Sequence, residues 1–179
     1  EPIGVVVCIS PFNFPLNLLC HKVAPALAAG NAVIAKPTSE TPLVAIRLTE
    51  ILLEAGCPKE AIQVITGPGR SVGNALVESP FTDLVTFTGS TQIGTQIASP
   101  GGKRAKRLIL EMGGMDPVIV LDDADLPRAV EAVSRATFGL AGQVCIASKR
   151  ILASDSISEK FAVMLSDRVS KFKVADPMA

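Results

Sequence analysis

The feature that most constrains this chain is an alternation between two hydrophobic periods. Short β-branched runs at Gly4–Ile9, Ala32–Ala35, Ile62–Ile65, Leu84–Phe87, Leu108–Leu110, Val118–Leu121 and Lys149–Leu152 read as buried strands. Between them stand segments with helical spacing: Leu16–Ala29, Pro42–Ala55, Val72–Glu78, Thr91–Ala98, Leu126–Phe138 and Ser158–Phe172. The punctuation agrees. Pro42 follows Thr41 as an N1 proline follows an N-cap, and Gly30 and Gly56 stand where C′ glycines belong. Asp125 and either Ser156 or Ser158 are candidate caps for the last two helices. Apolar strands joined by helices require a parallel sheet covered on both faces, which is the doubly wound α/β class.

Composition narrows the function. A length of 179 residues suits one domain, or one domain with an appendage. Seventeen basic residues balance seventeen acidic ones, so no global field draws the chain to nucleic acid or to an acidic membrane. The most apolar stretch, Val23–Ala35, is broken by Pro25, Gly30 and Asn31, well short of the roughly 20 residues of a spanning helix. The opening EPIGVVVCIS lacks the basic start and cleavage site of a signal peptide. Cysteines 8, 20, 57 and 145 form no CxxC pair and no dense framework, which points to a reducing, cytoplasmic setting. A single histidine argues against a His-based metal site and against a Ser-His-Asp triad. Chemistry then falls to Cys, Glu, Lys or Asn. The basic run Lys103, Arg104, Lys106 and Arg107 has no aromatic interleaving and reads as a solvated face.

The ends carry a further expectation. The chain opens within three residues of a strand that belongs at a sheet centre and stops at Lys173–Ala179, just after a helix. A second βαβ-like unit begins near Asp116, so the chain reads as an excerpt of a longer one.

In doubly wound sheets ligands bind beyond the carboxyl ends of the strands. Those ends carry SPFNFP, KPTS, TGPGRSVG, TGST and EMGG, and all should converge on one edge. Gly67, Gly69 and Gly73 are either a phosphate turn or plain turn geometry. Ser90 and Thr91 either hold a phosphate at a helix start or merely cap that helix. Asn13, held between Phe12, Phe14 and two prolines, is stiff enough to be an oxyanion donor, or it makes a satisfied turn. Lys36 reads as a donor to ribose or phosphate, or as a solvated strand end. Glu111 is expected to be partly buried, with its pKa raised toward base function, or it is a plain surface glutamate. Cys145 alone among the thiols lies in a glycine-flanked loop, whereas Cys8, Cys20 and Cys57 read as packing residues.

Taken in order, PFNFP, KPTSETP, GPGRSVG, FTGSTQIG, LEMGG and GQVC resemble the aldehyde dehydrogenase superfamily from residue 1 to the end. Glu111 and Cys145 stand 34 positions apart, the family's spacing of base and nucleophile. The resemblance implies a Rossmann-like NAD(P)-binding domain at 1–114 and the N-terminal part of a catalytic domain at 115–179. It implies NAD(P)-dependent oxidation of an aldehyde to a carboxylic acid through a Cys thiohemiacetal and a thioester, without a metal. Cys145 would be the nucleophile, Asn13 the oxyanion donor and Glu111 the base. Ser10, Pro11 and Phe12 would line the cofactor channel, and Lys36 and Ser39 would face the adenosine ribose. Gly69 and Gly73 would flank the adenine; Phe87, Gly89, Ser90 and Ile93 the pyrophosphate; Met112 and Gly113 the nicotinamide side. Phe12 replaces the family's usual tryptophan, and Met115 a frequent lysine. NAD-preferring members commonly carry a glutamate where Ser39 stands, so NADP is expected to be accepted at least as well as NAD. The partners implied are a small aldehyde and, for the longer chain, further copies of itself. A CoA-acylating relative and a non-catalytic nucleotide-binding module are the rival readings.

Overall fold

The computed structural model describes residues 1–176 and 178; Pro177 and Ala179, in the closing stretch 173–179, lie outside it. The chain divides into two compact units, Glu1–Gly113 and Gly114–Ala179.

The first unit runs β1 (Val5–Ile9), α1 (Asn17–Ala28), β2 (Ala32–Lys36), α2 (Pro42–Glu54), β3 (Ile62–Val64), α3 (Asn74–Glu78), β4 (Leu84–Thr88), α4 (Thr91–Lys103) and β5 (Arg107–Glu111). Its strands are parallel in the order β3-β2-β1-β4-β5, with β1 at the centre. Alternate side chains of each strand serve opposite layers. Val6, Cys8, Val33 and Ala35 pack with Leu19, Val23 and Ala26 of α1 and Ala45 of α2. Val7, Val85 and Phe87 face the other way, toward Val77 of α3 and Ile97 of α4. Two helices on each face make the doubly wound architecture, and the chain reverses direction between β1 and β4. That reversal is the topological switch point, where such sheets open a crevice.

The second unit holds β6 (Asp116–Val120), α5 (Leu126–Phe138), β7 (Ser148–Ala153) and α6 (Asp155–Val169). Strands β6 and β7 pair in parallel, with a register shift between Asp116 and Pro117. Val118, Val120 and Ala153 pack beneath Leu126, Val130 and Val133 of α5 and Phe161 of α6. On the other face Ile119 and Leu152, level in the register, remain 66% and 55% exposed.

Local signals were met with a few differences. Gly30 and Gly56 take φ of +81° and +95°, the left-handed conformation that ends a helix cheaply only at glycine. Asp125 Oδ1 accepts from the Arg128 N–H at 3.2 Å and caps α5. Thr41 precedes Pro42 but makes no capping bond. Neither Ser156 nor Ser158 caps α6, which starts earlier, at Asp155; the Ser158 hydroxyl instead donates to the Asp155 carbonyl at 3.1 Å. Helix α4 does not end at Ala98 but continues through Pro100 to Lys103. Packing overrides the breakers there, because Gly101 is buried with the Leu108 side chain where a Cβ would stand. The segment from Val72 is preceded by a wide π turn, Gly69–Gly73, which leads directly into α3.

Candidate active site

The strand registers set the site. Ile9 pairs with Lys36 on one side and Phe87 on the other, and Thr88 pairs with Glu111. The Ser10 N–H donates to the Lys36 carbonyl at 3.3 Å and the Gly89 N–H to the Glu111 carbonyl at 3.0 Å, so the carboxyl ends of β2, β1, β4 and β5 lie level.

Over the switch point these ends enclose a cavity of about 340 Å³. Ser10, Pro11 and Phe12 line it from β1, Lys36 and Ser39 from β2, and Gly69 and Gly73 from the π turn. Phe87, Gly89, Ser90 and Ile93 line it from β4 and the start of α4. Met112 and Gly113 do not line it. Both lie against α4 instead, with the Met112 sulfur where a Cβ on Gly94 would fall and the Thr91 hydroxyl 3.7 Å from one built on Gly113. Gly89 is required by packing, since the Phe87 ring lies 2.4 Å from where its Cβ would stand. The Ser90 hydroxyl accepts from the Ile93 N–H at 3.3 Å, so Ser90 caps α4 at the edge of the cavity.

The electrostatics are one-sided. Among the described residues, Lys36 and Arg70 are the only charged ones lining the cavity, and no carboxylate lines it. Among the described residues no carboxylate pairs with either. Lys36 is buried, its ammonium donates to the Pro37 carbonyl at 3.1 Å, and burial holds its pKa below the ordinary lysine value. A buried cation without a counter-ion is costly until an anion arrives. The Ser39 hydroxyl donates to the Gly67 carbonyl over a long 3.4 Å. With the α4 N-terminus opening on the same space, the donor set fits a phosphate-bearing dinucleotide.

Three residues were singled out for chemistry. Asn13 sits half-buried in the turn between β1 and α1. Glu111 ends β5 and is exposed, against the expectation of burial. The reason is its place on an edge strand: Leu108 and Leu110 pack inward, while Arg107, Ile109 and Glu111 alternate onto a face left open within this unit. Cys145 belongs to the second unit, where it is partly buried in a turn closed by the Ala147 N–H donating to the Val144 carbonyl at 3.1 Å.

Sequence reasoning missed Lys22. It lies on the buried stripe of α1 with Leu19, Val23 and Ala26, and its ammonium donates to Thr88 Oγ1 at 2.6 Å and Thr86 Oγ1 at 3.4 Å. Burial pushes its pKa below the ordinary lysine value, with Cys8 and Glu111 opposing that shift in part. A lysine at i+3 on an otherwise apolar stripe was the available signal. Arg70 was missed too, although it stands inside the GPGRSVG turn.

A family model for the aldehyde dehydrogenase family matches residues 1–179. The chain belongs to the aldehyde dehydrogenase family. It is 45% identical over 177 residues to the 3-sulfolactaldehyde dehydrogenase of Priestia aryabhattai, covering 99% of this chain and 37% of that one. It is 42% identical over 176 residues to the NADP(+) succinate-semialdehyde dehydrogenase GabD of Escherichia coli, covering 98% and 36%. The crystal structure of Staphylococcus aureus betaine aldehyde dehydrogenase in complex with NAD+ superposes with a TM-score of 0.95 at 42% identity, covering 98% of this chain and 35% of that one. The chain thus spans little more than a third of the length of these relatives.

Proposed function

We propose that the full chain oxidises an aldehyde to a carboxylic acid, binding NADP or NAD at the switch point and using Cys145 as nucleophile. The observation that carries the cofactor reading is the cavity lined by two cations and no anion. Lys36 and Ser39 would hold the adenosine ribose or its 2′-phosphate. Gly69 and Gly73 leave room beside the adenine, and Gly89, Ser90 and Ile93 serve the pyrophosphate. With no carboxylate lining the cavity, NADP is accepted at least as well as NAD.

A thiol is a strong nucleophile once ionised, and Cys145 stands in a glycine-flanked loop, whereas Cys8 and Cys20 lie on a strand and a helix and Cys57, although in a loop, packs against the first unit's core. Its sulfur bonds to the aldehyde carbon, and the carbonyl oxygen becomes an oxyanion. The Asn13 side-chain amide and the Cys145 main-chain N–H receive that charge; one such donor is typically worth about 2.7–4 kcal/mol. A bound dinucleotide would accept the hydride that leaves the former aldehyde carbon as its C–H bond breaks and the C=O re-forms, which leaves a thioester on Cys145. Glu111 then takes a proton from water as the water oxygen attacks the thioester carbon, the C–S bond breaks, and the acid leaves. The exposure of Glu111 within its unit gives water access to it.

The test is intact-mass analysis of the Glu111→Gln full chain after mixing with NADP and an aldehyde. An acyl adduct on Cys145 is expected to accumulate. No adduct there, with turnover continuing, would contradict the covalent reading.

A further inference from the structure

We propose that Gly114 is a positioning residue for Cys145: its missing side chain lets the Cys145 carbonyl seat against the backbone and so fixes the loop that presents the sulfur. The inference rests on Cys145 being the nucleophile. A Cβ on Gly114 would stand 2.7 Å from the Cys145 carbonyl oxygen, closer than real Cβ atoms come. Asp116 Oδ1, at 2.9 Å from the same point, ends a side chain that can swing away. A main-chain carbonyl in a tied loop cannot.

The loop is tied at both ends. Upstream, Leu140, Ala141 and Gly142 are all left-handed, with φ of 52°, 55° and 73°. Two of the three are not glycine, so the surrounding structure must impose the conformation. The Gln143 N–H donates to the Leu140 carbonyl at 3.1 Å and closes that turn. Downstream, the Thr137 hydroxyl donates to the Ser148 carbonyl at 2.9 Å. Lys149 Nζ donates to the Gly114 carbonyl at 3.0 Å and Arg150 Nε to the Met115 carbonyl at 3.0 Å, which straps the glycine segment to the strand that follows the cysteine. An added methyl at 114 therefore has to displace the Cys145 backbone itself. A displacement near 1 Å typically costs about 100-fold in rate.

The experiment is rapid mixing of the full chain with NADP and either succinate semialdehyde or 3-sulfolactaldehyde, following the first burst of reduced cofactor. Gly114→Ala should show the parent's burst amplitude at a rate about 100-fold lower, with NADP affinity unchanged. Lys149→Met removes an exposed strap without steric pressure and should slow the burst about threefold to tenfold. Gly102→Ala, whose Cβ meets nothing within 4 Å, should match the parent. A merely structural role would lower the amplitude and leave the rate alone. A parental rate in folded Gly114→Ala overturns the proposal, as does a parental rate in Lys149→Met where Gly114→Ala does not fold. A normal burst in Cys145→Ser overturns the nucleophile assignment and this inference with it. A dead Cys145→Ser beside an unimpaired Gly114→Ala overturns the inference alone.

Discussion

The two units of this chain hold their functional groups by different means. In the first, β1 and β4 are enclosed on both faces, and Val7, Cys8 and Val85 are inaccessible to solvent. The cavity at the switch point inherits its shape from that packing, through strand ends level to within one register step. In the second, β6 and β7 are packed on one face only, and Cys145 rides on a loop fixed by hydrogen bonds and a left-handed turn. Where a core is complete, position follows from burial. Where it covers one face, position is imposed residue by residue on the backbone, and single atoms matter more.

The largest effect expected from this contrast is chemical. Cys145→Ser in the full chain should lower turnover by at least about a thousandfold, whereas Cys57→Ser should leave it near the parent's. Equal losses in steady-state assays of the two variants would erase the distinction between loop and packing cysteines. Next comes stability. Leu19→Ala, beneath the first sheet, should cost about 2–5 kcal/mol in urea unfolding, and Leu152→Ala, on the open face of the second, no more than about 0.5 kcal/mol. A comparable cost for Leu152 would mean that its face is covered in the full chain.

Cofactor choice gives a smaller effect. Ser39→Glu brings a carboxylate beside the place of a 2′-phosphate and should lower kcat/KM with NADP about tenfold to a hundredfold relative to NAD. An unchanged ratio would remove Ser39 from the specificity site. Smallest is a pH effect confined to the first unit. Burial pushes the Cys8 thiol from 9.0 up to about 12, with the Lys22 ammonium opposing in part. The folded state therefore keeps a proton that the unfolded chain gives up. Stability tied to Cys8 is fully present below about pH 9 and is lost as pH rises toward 12. Cys8→Ala should flatten the decline between those limits in chemical denaturation; an identical slope in both proteins would show that Cys8 does not contribute.

The fold was legible because the strands are β-branched runs and the helices carry their own stop signals, as at Gly30 and Gly56. What misled at Pro100 was a local breaker overruled by Gly101 packing on Leu108. The lining of the cavity could be listed from the strand ends because register aligns them, whereas Met112 and Gly113 bend away against α4. Burial of Glu111 was misjudged because an apolar run reads the same on an edge strand as on a central one. Lys22 escaped because a lysine inside a helix reads as solvated unless its stripe is traced. The contact of Gly114 with Cys145 joins residues far apart in sequence, and no local pattern encodes it.

The most direct test of this division of labour is calorimetric titration of NADP into the full chain carrying Cys145→Ser. Binding held by the first unit's cavity should be indifferent to the lost sulfur, with a Kd within about twofold of the parent while turnover is gone. Loss of NADP binding together with turnover would contradict the assignment of cofactor and nucleophile to separate units.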